Sequence, residues 1–288
     1  MELDKLLGGL SSATATTNAW AYGFLGLASY LLVVRLLRYR LRDGLWRKYG
    51  FSDRESLTRM TLDQAQGIQR EIAQKEFPFL FENSLFFALF KTYSIETISK
   101  LLIQTGQLSR DENASKRVVD TTLIILELFL NNPQDPRTLD AIARMNYLHS
   151  SYRKSGKILD DDMLYTLALF ALEPARWIDR FGYRKSTDLE RCAYGVFWKD
   201  LGREMLIPYD ALKPYKNGPY DDGLAWLEAL EQWTLDYEKK AMFPSDWNKD
   251  LAKYTMDIAL FNVPWWARGF ASGVATALLE PLMRNAMK

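Results

Sequence analysis

The sequence holds one histidine, His149, and one cysteine, Cys192, in 288 residues. A lone cysteine excludes an intrachain disulfide framework, a cysteine-rich zinc site and an iron–sulfur cluster, so the chain needs no oxidising compartment. A lone histidine excludes metallopeptidases, zinc hydrolases and non-haem iron oxygenases, which need further ligands of that type. An excess of charge is missing too: 37 basic residues face 36 acidic ones, a net charge of +1. With no basic stripe for phosphates, a nucleic-acid partner is not expected. Alternating valine, isoleucine and threonine runs and Asn-Gly hairpin signals are nearly absent, which argues against sheets.

What remains is 48% hydrophobic and 14% aromatic, ample for a large core. From Ser11 to Val34 there is no charge, and "AWAYGFLGLASYLLVV" (Ala19 to Val34) approaches the ~20 apolar residues that cross a bilayer. Arg35, Arg38, Arg40, Arg42, Arg47 and Lys48 follow it, while only Lys5 precedes it. This is the order of a membrane anchor whose following body faces the cytosol, and it fits a cleavable signal peptide less well. The alternative is an amphipathic or buried helix.

Beyond residue 50 the apolar spacing is helical throughout. The chain reads as all-α: an anchor and basic juxtamembrane segment over 1–48, then one multi-helix globular domain over 49–288. Helices are expected at 17–42, 61–74, 79–90, 93–105, 114–131, 136–154, 161–172, 174–181, 188–205, 223–239, 247–260 and 264–286. Ser52 with Glu55, Thr61 with Gln64 and Thr187 with Glu190 match capping-box spacing. Pro136 and Pro174 suit first helical turns, and Gly156 suits a helix stop. The stretch 208–223 is turn-rich. The run "VPWWARGFASGVATALLEPLMRNAMK" reads as a last core helix, with an interfacial helix as the alternative.

His149 lies in "DAIARMNYLHSSYRKSG", with Met145 and Asn146 one turn before it and Tyr152 and Arg153 one turn after. One histidine suffices for haem, because the porphyrin supplies four nitrogens and the protein owes iron one axial imidazole. A core histidine satisfied by hydrogen bonds and a lone general base are equally compatible with the residues. Cys192, in "DLERCAYG", lacks the Phe-Gly-Arg-Cys-Gly setting of cytochromes P450 and reads as a buried structural cysteine. "LDDDML" lacks the distal acid of a diphosphate-binding DDxxD motif, so Asp160 reads as a helix cap with Asp161 and Asp162 behind it.

Taken together, "RMNYLHSSYRKSGKILDDDMLYTLALFALEPARWIDRFGYRKSTDLERCAYGVFWKDLGREM" resembles the fungal ER-bound oxygenase MpaB family, itself distantly similar to bacterial latex-clearing rubber oxygenases. The resemblance covers about residues 110 to 210. It implies a mostly helical fold, a b-type haem with His149 as proximal iron ligand, and oxidative cleavage of a carbon–carbon double bond in a lipophilic terpenoid or prenylated substrate by dioxygen. It further implies an endoplasmic reticulum membrane protein of secondary metabolism. In "KRVVDTTLIILE", Arg117 and Thr121 match the Arg-x-x-Lys-Thr pattern on the distal side, but Asp120 stands where the lysine would be. An aspartate there would hydrogen-bond, carry a proton or pair with Arg117. Arg144 would pair with an acid or a haem propionate, and Asn146 and Tyr152 would flank the ligand. Tyr165, Trp177, Arg184, Glu190 and Trp198 also recur in the family pattern.

By helical spacing Arg117, Thr121, Ile124 and Leu128 share one stripe, polar at its start and apolar beyond, and a pocket lined by aromatic and aliphatic residues is expected. Two alternatives stand beside olefin cleavage: a haem-dependent hydroxylase, isomerase or cyclase with Asp120 as acid or base, and a haem-free membrane accessory protein.

Overall fold

The computed structural model describes the backbone at residues 2–106, 111–215 and 222–288; side chains at 2–19, 111–118 and 130 lie outside the description. Among the described residues there are fourteen α-helices and no strand. The chain divides into two compact units, Met1–Ser52 and Asp53–Lys288.

The first unit is two helices. α1 (Glu2–Leu37) is straight apolar sequence from Trp20 onward and every residue from Trp20 to Leu37 is exposed, so it is long and apolar enough to cross a bilayer. It stops sooner than the expected 17–42: a turn at Arg38 and Tyr39 separates it from α2 (Arg40–Tyr49), which ends at Gly50 with φ +72°.

The second unit begins with α3 (Arg54–Leu57), capped by Asp53 and Ser56. The expected Ser52 and Glu55 box is thus shifted by one residue, because Asp53 Oδ1 accepts from Ser56 N at 2.8 Å. α4 (Leu62–Glu71) opens with the expected Thr61 and Gln64 box and runs on into a π turn, Ile72–Glu76. Then follow α5 (Pro78–Thr92), α6 (Glu96–Gln104), α7 (Asp111–Leu130) and α8 (Pro136–Lys154). α9 (Asp160–Phe181) is the axis of the unit, with fourteen of its 22 residues buried.

Two separate helices were expected where α9 runs unbroken through Pro174. That proline removes one backbone hydrogen bond, but burial on most sides of the helix outweighs the loss. α10 (Asp188–Glu204) opens on the expected Thr187 and Glu190 box, and after a 3-10 turn at Asp210–Tyr215 come α11 (Gly223–Ala241) and α12 (Asp246–Ala259). The expected single helix 264–286 is two, α13 (Trp265–Leu278) and α14 (Pro281–Ala286), parted just before Pro281. α13 has no buried residue, so it is not a core helix.

α5, α10 and α11 pack on α9, and α4 packs on α10. α10 meets α11 backbone to backbone: a methyl on Gly195 would overlap the Gly223 carbonyl, and one on Gly223 would sit 2.5 Å from Val196 N. Two ionic clusters lock these helices. Lys91 Nζ on α5 lies 3.5 Å from Glu173 on α9, 2.9 Å from Glu238 on α11 and 2.8 Å from Glu280 before α14. Tyr165 donates to Glu238 at 3.2 Å, and Arg176 joins Glu173 at 3.0 Å.

In the second cluster the Arg184 guanidinium forks onto both Glu76, delivered by the π turn, and Glu190, the capping residue of α10. All three side chains are buried. Burial and the Tyr183 hydroxyl's own bond to Glu76 push that phenol up to about 12. Removing the cation strands two carboxylates in the interior, so Arg184→Met costs about 3–5 kcal/mol of stability. Arg184→Lys costs less but is not neutral, having no fork to offer two carboxylates. Urea titration of detergent-purified protein followed by circular dichroism measures both.

Candidate functional site

α7 and α8 form an antiparallel hairpin. Its second arm starts where Asp135 accepts from Arg137 N at 2.9 Å and Pro136 occupies the first turn, as the sequence indicates. On α7 the expected stripe is realised as a gradient: Thr121 and Ile124 are half-buried and Leu128 is buried. Gln66 on α4 donates to the Leu128 carbonyl at 3.4 Å and so holds the deep end.

Between the two helices lies a cavity of about 420 Å³ lined by Asp120, Leu123, Ile124 and Glu127 from α7 and Arg137, Asp140, Ala141 and Arg144 from α8. It brings together two of the residues singled out in the sequence, Asp120 and Arg144. Among the described residues its lining departs from the aromatic and aliphatic pocket expected: three carboxylates face two guanidiniums, Leu123, Ile124 and Ala141 are the apolar part, and no aromatic ring takes part. Glu127 and Arg137 pair at 2.5 Å at its end beside the turn that joins the helices. The signal for this face was the i, i+3, i+4, i+7 spacing of Arg137, Asp140, Ala141 and Arg144, which passes for an ordinary solvated face.

The other predicted residues lie elsewhere. The side chain of Arg117 is outside the described residues, and Thr121 is half-buried without lining the cavity. His149 is half-buried on α8 five residues beyond Arg144, which puts it about 140° round the helix from the cavity face. Its face neighbours show where that side points. Asn146 donates to the Glu204 carbonyl at 2.8 Å, and Arg153 donates to the Met205 and Leu206 carbonyls at 2.9 Å each. His149 therefore sits on the side of α8 turned toward the C-terminal end of α10. Tyr152 is half-buried, and its carbonyl closes α8 by accepting from Lys157 N at 2.9 Å.

Both helix ends here are built alike. α8 ends on Gly156 (φ +68°), with Lys157 N bonded to Tyr152 O and Gly156 N to Arg153 O. α10 ends on the same pattern, Ile207 N to Gly202 O and Leu206 N to Arg203 O, but with a leucine in the left-handed position (φ +55°). Glycine takes that conformation freely; leucine pays steric strain, and Leu206 is 75% exposed with no packing to offset it. Arg153, expected from its spacing only as a neighbour of His149, holds both carbonyls of that turn.

Several alternatives lose their footing. Cys192 is buried, its thiol directed to the Leu57 carbonyl at 3.7 Å, and burial pushes it up to about 11, as for a structural cysteine. The three aspartates diverge: Asp160 pairs with Arg153, Asp161 is exposed, and Asp162 accepts from Tyr237 at 2.7 Å. The cap of α9 is Leu159, not Asp160, whose carboxylate Arg153 has taken. Tyr165, Arg184 and Glu190 belong to the ionic clusters. Trp177 packs on Phe87 and Phe181, and Trp198 stacks on Phe170.

No family profile matches the chain, and no solved structure does. Three curated proteins match. ER-bound oxygenase mpaB of Penicillium roqueforti (strain FM164) is 43% identical over 284 residues, covering 96% of this chain and 95% of that protein. ER-bound oxygenase mpaB' of Penicillium brevicompactum is 43% identical over 261 residues, 91% of this chain and 62% of its own length. ER-bound oxygenase mpaB of the same species is 44% identical over 262 residues, 89% and 67%.

Two arginines of α8 should differ sharply when truncated. Arg153→Met removes charge-assisted bonds to two carbonyls of a strained turn and costs about 2–3 kcal/mol. Arg137→Met removes an exposed pair worth under about 1 kcal/mol. Thermal unfolding of the two variants, side by side, reads the difference.

Proposed function

The chain belongs to the ER-bound oxygenase MpaB family, and from that premise we propose a membrane-anchored, haem-dependent oxygenase of secondary metabolism that acts on a lipophilic olefin. The observation that carries the oxygenase reading is the match at 43% identity over nearly the whole of this chain and of a relative named for that activity. Endoplasmic reticulum binding comes from the same relatives' names, and α1 supplies a helix able to anchor it. The cations after α1 favour a single pass with the body in the cytosol.

Haem b is proposed from the chemistry of the donors. Among the described residues no group of three or more histidine, cysteine, aspartate or glutamate side chains could hold a bare metal ion. A porphyrin needs only one imidazole, and the chain has one. His149 would supply the imidazole for iron; Arg144, about 140° round α8 from it, is assigned a haem carboxylate by the resemblance and not by a shared face. When bound, haem supplies the binding and activation of dioxygen.

The chain's own residues then do the rest. Leu123 and Ile124 would present hydrocarbon to an apolar substrate in the cavity, beside exposed Val119 and Leu126 on the same helix. Asp120, half-buried and lining the cavity, would hold or move a proton at its carboxylate. Arg117 and Thr121 join Asp120 in the set that the resemblance implies, while His149, with Asn146 and Tyr152 beside it, is turned toward α10 and away from the cavity that Asp120 lines.

Cleavage of the double bond is the preferred reaction. The second reading, hydroxylation, isomerisation or cyclisation, is favoured by one observation: the groove carries a carboxylate where the rubber oxygenases' pattern has lysine. The products separate them. Cleavage gives shorter carbonyl fragments carrying oxygen from labelled dioxygen, hydroxylation adds one oxygen, and isomerisation or cyclisation leaves the mass unchanged.

An ultraviolet–visible spectrum of detergent-purified protein, oxidised and then reduced with dithionite, tests the haem. A Soret band that shifts on reduction and is lost in His149→Ala is expected; a featureless wild type after haem supplementation overturns the reading in favour of a haem-free accessory protein. Asp120→Asn is expected to keep the band while turnover of a prenylated test olefin falls about 10²–10⁴-fold, the range of a single proton-transfer group.

A further inference from the structure

A surface helix on a water-soluble body turns an apolar stripe inward and a polar stripe outward. α13 does otherwise. Ala267, Ala271, Ala275 and Leu278 are half-buried and, by helical spacing, mark its inner side. Its outer side carries Trp266, Phe270, Gly273 and Ala277, with Trp265 and Val274 at the margins. Trp265, Trp266 and Phe270 are 83%, 73% and 79% exposed. Its polar residues, Arg268, Ser272 and Thr276, form one narrow edge at four-residue spacing, and Trp266, Phe270 and Val274 lie on the opposite flank, so in water the helix shows hydrocarbon beyond its inner side.

Two polar side chains of α13 bond within the helix or to the turn before it. Arg268, its only charged residue, donates to the Val263 carbonyl at 3.0 Å and the Phe261 carbonyl at 3.3 Å, in the turn that precedes the helix. Thr276 donates to the Ser272 carbonyl at 2.8 Å. In water such groups need no internal partners; in a lipid environment they do. The far end is tied to the body, where Arg180 donates to the Leu278 carbonyl at 3.3 Å and Glu280 meets Lys91. The aromatic end thus projects from a fixed base.

We propose that α13 is a second membrane contact, lying in the plane of the bilayer with Trp266 and Phe270 at the boundary between headgroups and acyl chains. Its 14 residues make about 21 Å of helix, too short for a hydrocarbon core of about 30 Å, so it rests on the membrane and does not cross it. Tryptophan suits that depth, with an apolar body and one N–H for the wet side. The occupant is lipid because the same chain carries α1, a bilayer-length helix with none of its apolar window buried. A membrane is then a standing neighbour of this protein. The inference needs neither haem nor any particular reaction.

The test uses the full chain in nanodiscs of neutral phospholipid, with a nitroxide attached at Phe270→Cys or, separately, at Trp266→Cys. Cys192 is buried and does not compete for the label. Lys213→Cys, on an exposed lysine of the second unit, is the aqueous reference. Labels at 270 and 266 are expected to be several-fold more accessible to oxygen than to a water-soluble nickel chelate, with the order reversed at 213. Equal access of the chelate to 270, 266 and 213 overturns the proposal. Protection from both reagents together with spin–spin broadening between copies also overturns it, because a second copy of the chain then covers the helix. Two label positions with unchanged circular dichroism guard against local unfolding by either substitution.

Discussion

Lys91 places an ammonium group, 3% exposed, among Glu173, Glu238 and Glu280, and the packing of the second unit depends on that being affordable in free energy. Burial alone would strip the charge; the three carboxylates outweigh it and hold the lysine above its ordinary range. Each of those carboxylates arrives on a different segment: α9, α11 and the turn before α14. Glu173 and Glu238 are buried and Glu280 half-exposed, and the lysine could not be buried without them. Arg176, also held above its ordinary range against burial by Glu173, Glu238 and Glu231, extends the same network across α9. The arrangement defines which helix faces meet more sharply than apolar contacts alone, since a slipped register leaves a charge stranded.

This division of labour explains what could be read from the sequence. The boxes at Thr61 and Gln64 and at Thr187 and Glu190, the Asp135 and Pro136 start and the Gly156 stop all rest on contacts within a few residues, so spacing alone reveals them. Lys91 meets partners 82, 147 and 189 positions away in sequence, and nothing local marks them. Pro174 misleads for the same reason: as a local signal it starts a helix, whereas burial on α9 carries the helix through it. Leu206 occupies a place where local rules demand glycine, and only the carbonyl bonds from Arg153 reveal how the turn is held. α13 misleads in the opposite sense, because its apolar sequence resembles a core segment and only its exposure distinguishes the two.

For the site, sequence supplied residues and structure supplied their separation. His149 stood out by being alone, and Asp120 and Arg144 by resemblance; the fold places the latter two in one cavity and turns His149 toward the end of α10. The polar character of that cavity was not legible, because Arg137, Asp140 and Arg144 look like any exposed helical face. The hairpin that carries these groups hangs from α4 through Gln66 and from α10 through Asn146 and Arg153, outside the ionic core. Candidate chemistry thus sits beside a charge-locked scaffold, tied to it by Gln66, Asn146 and Arg153.

The meeting of Gly195 and Gly223 bears on how this sequence can change over generations. Alanine is ordinarily the mildest replacement on a helix, yet at either position its methyl would run into backbone, which has no rotamer to turn aside. Relief requires the two helix axes to move apart, and α10 begins with Glu190, held by Arg184, while α11 ends near Glu238, held by Lys91. Two short runs of sequence are therefore bound to drift together or not at all, a veto written by the absence of an atom.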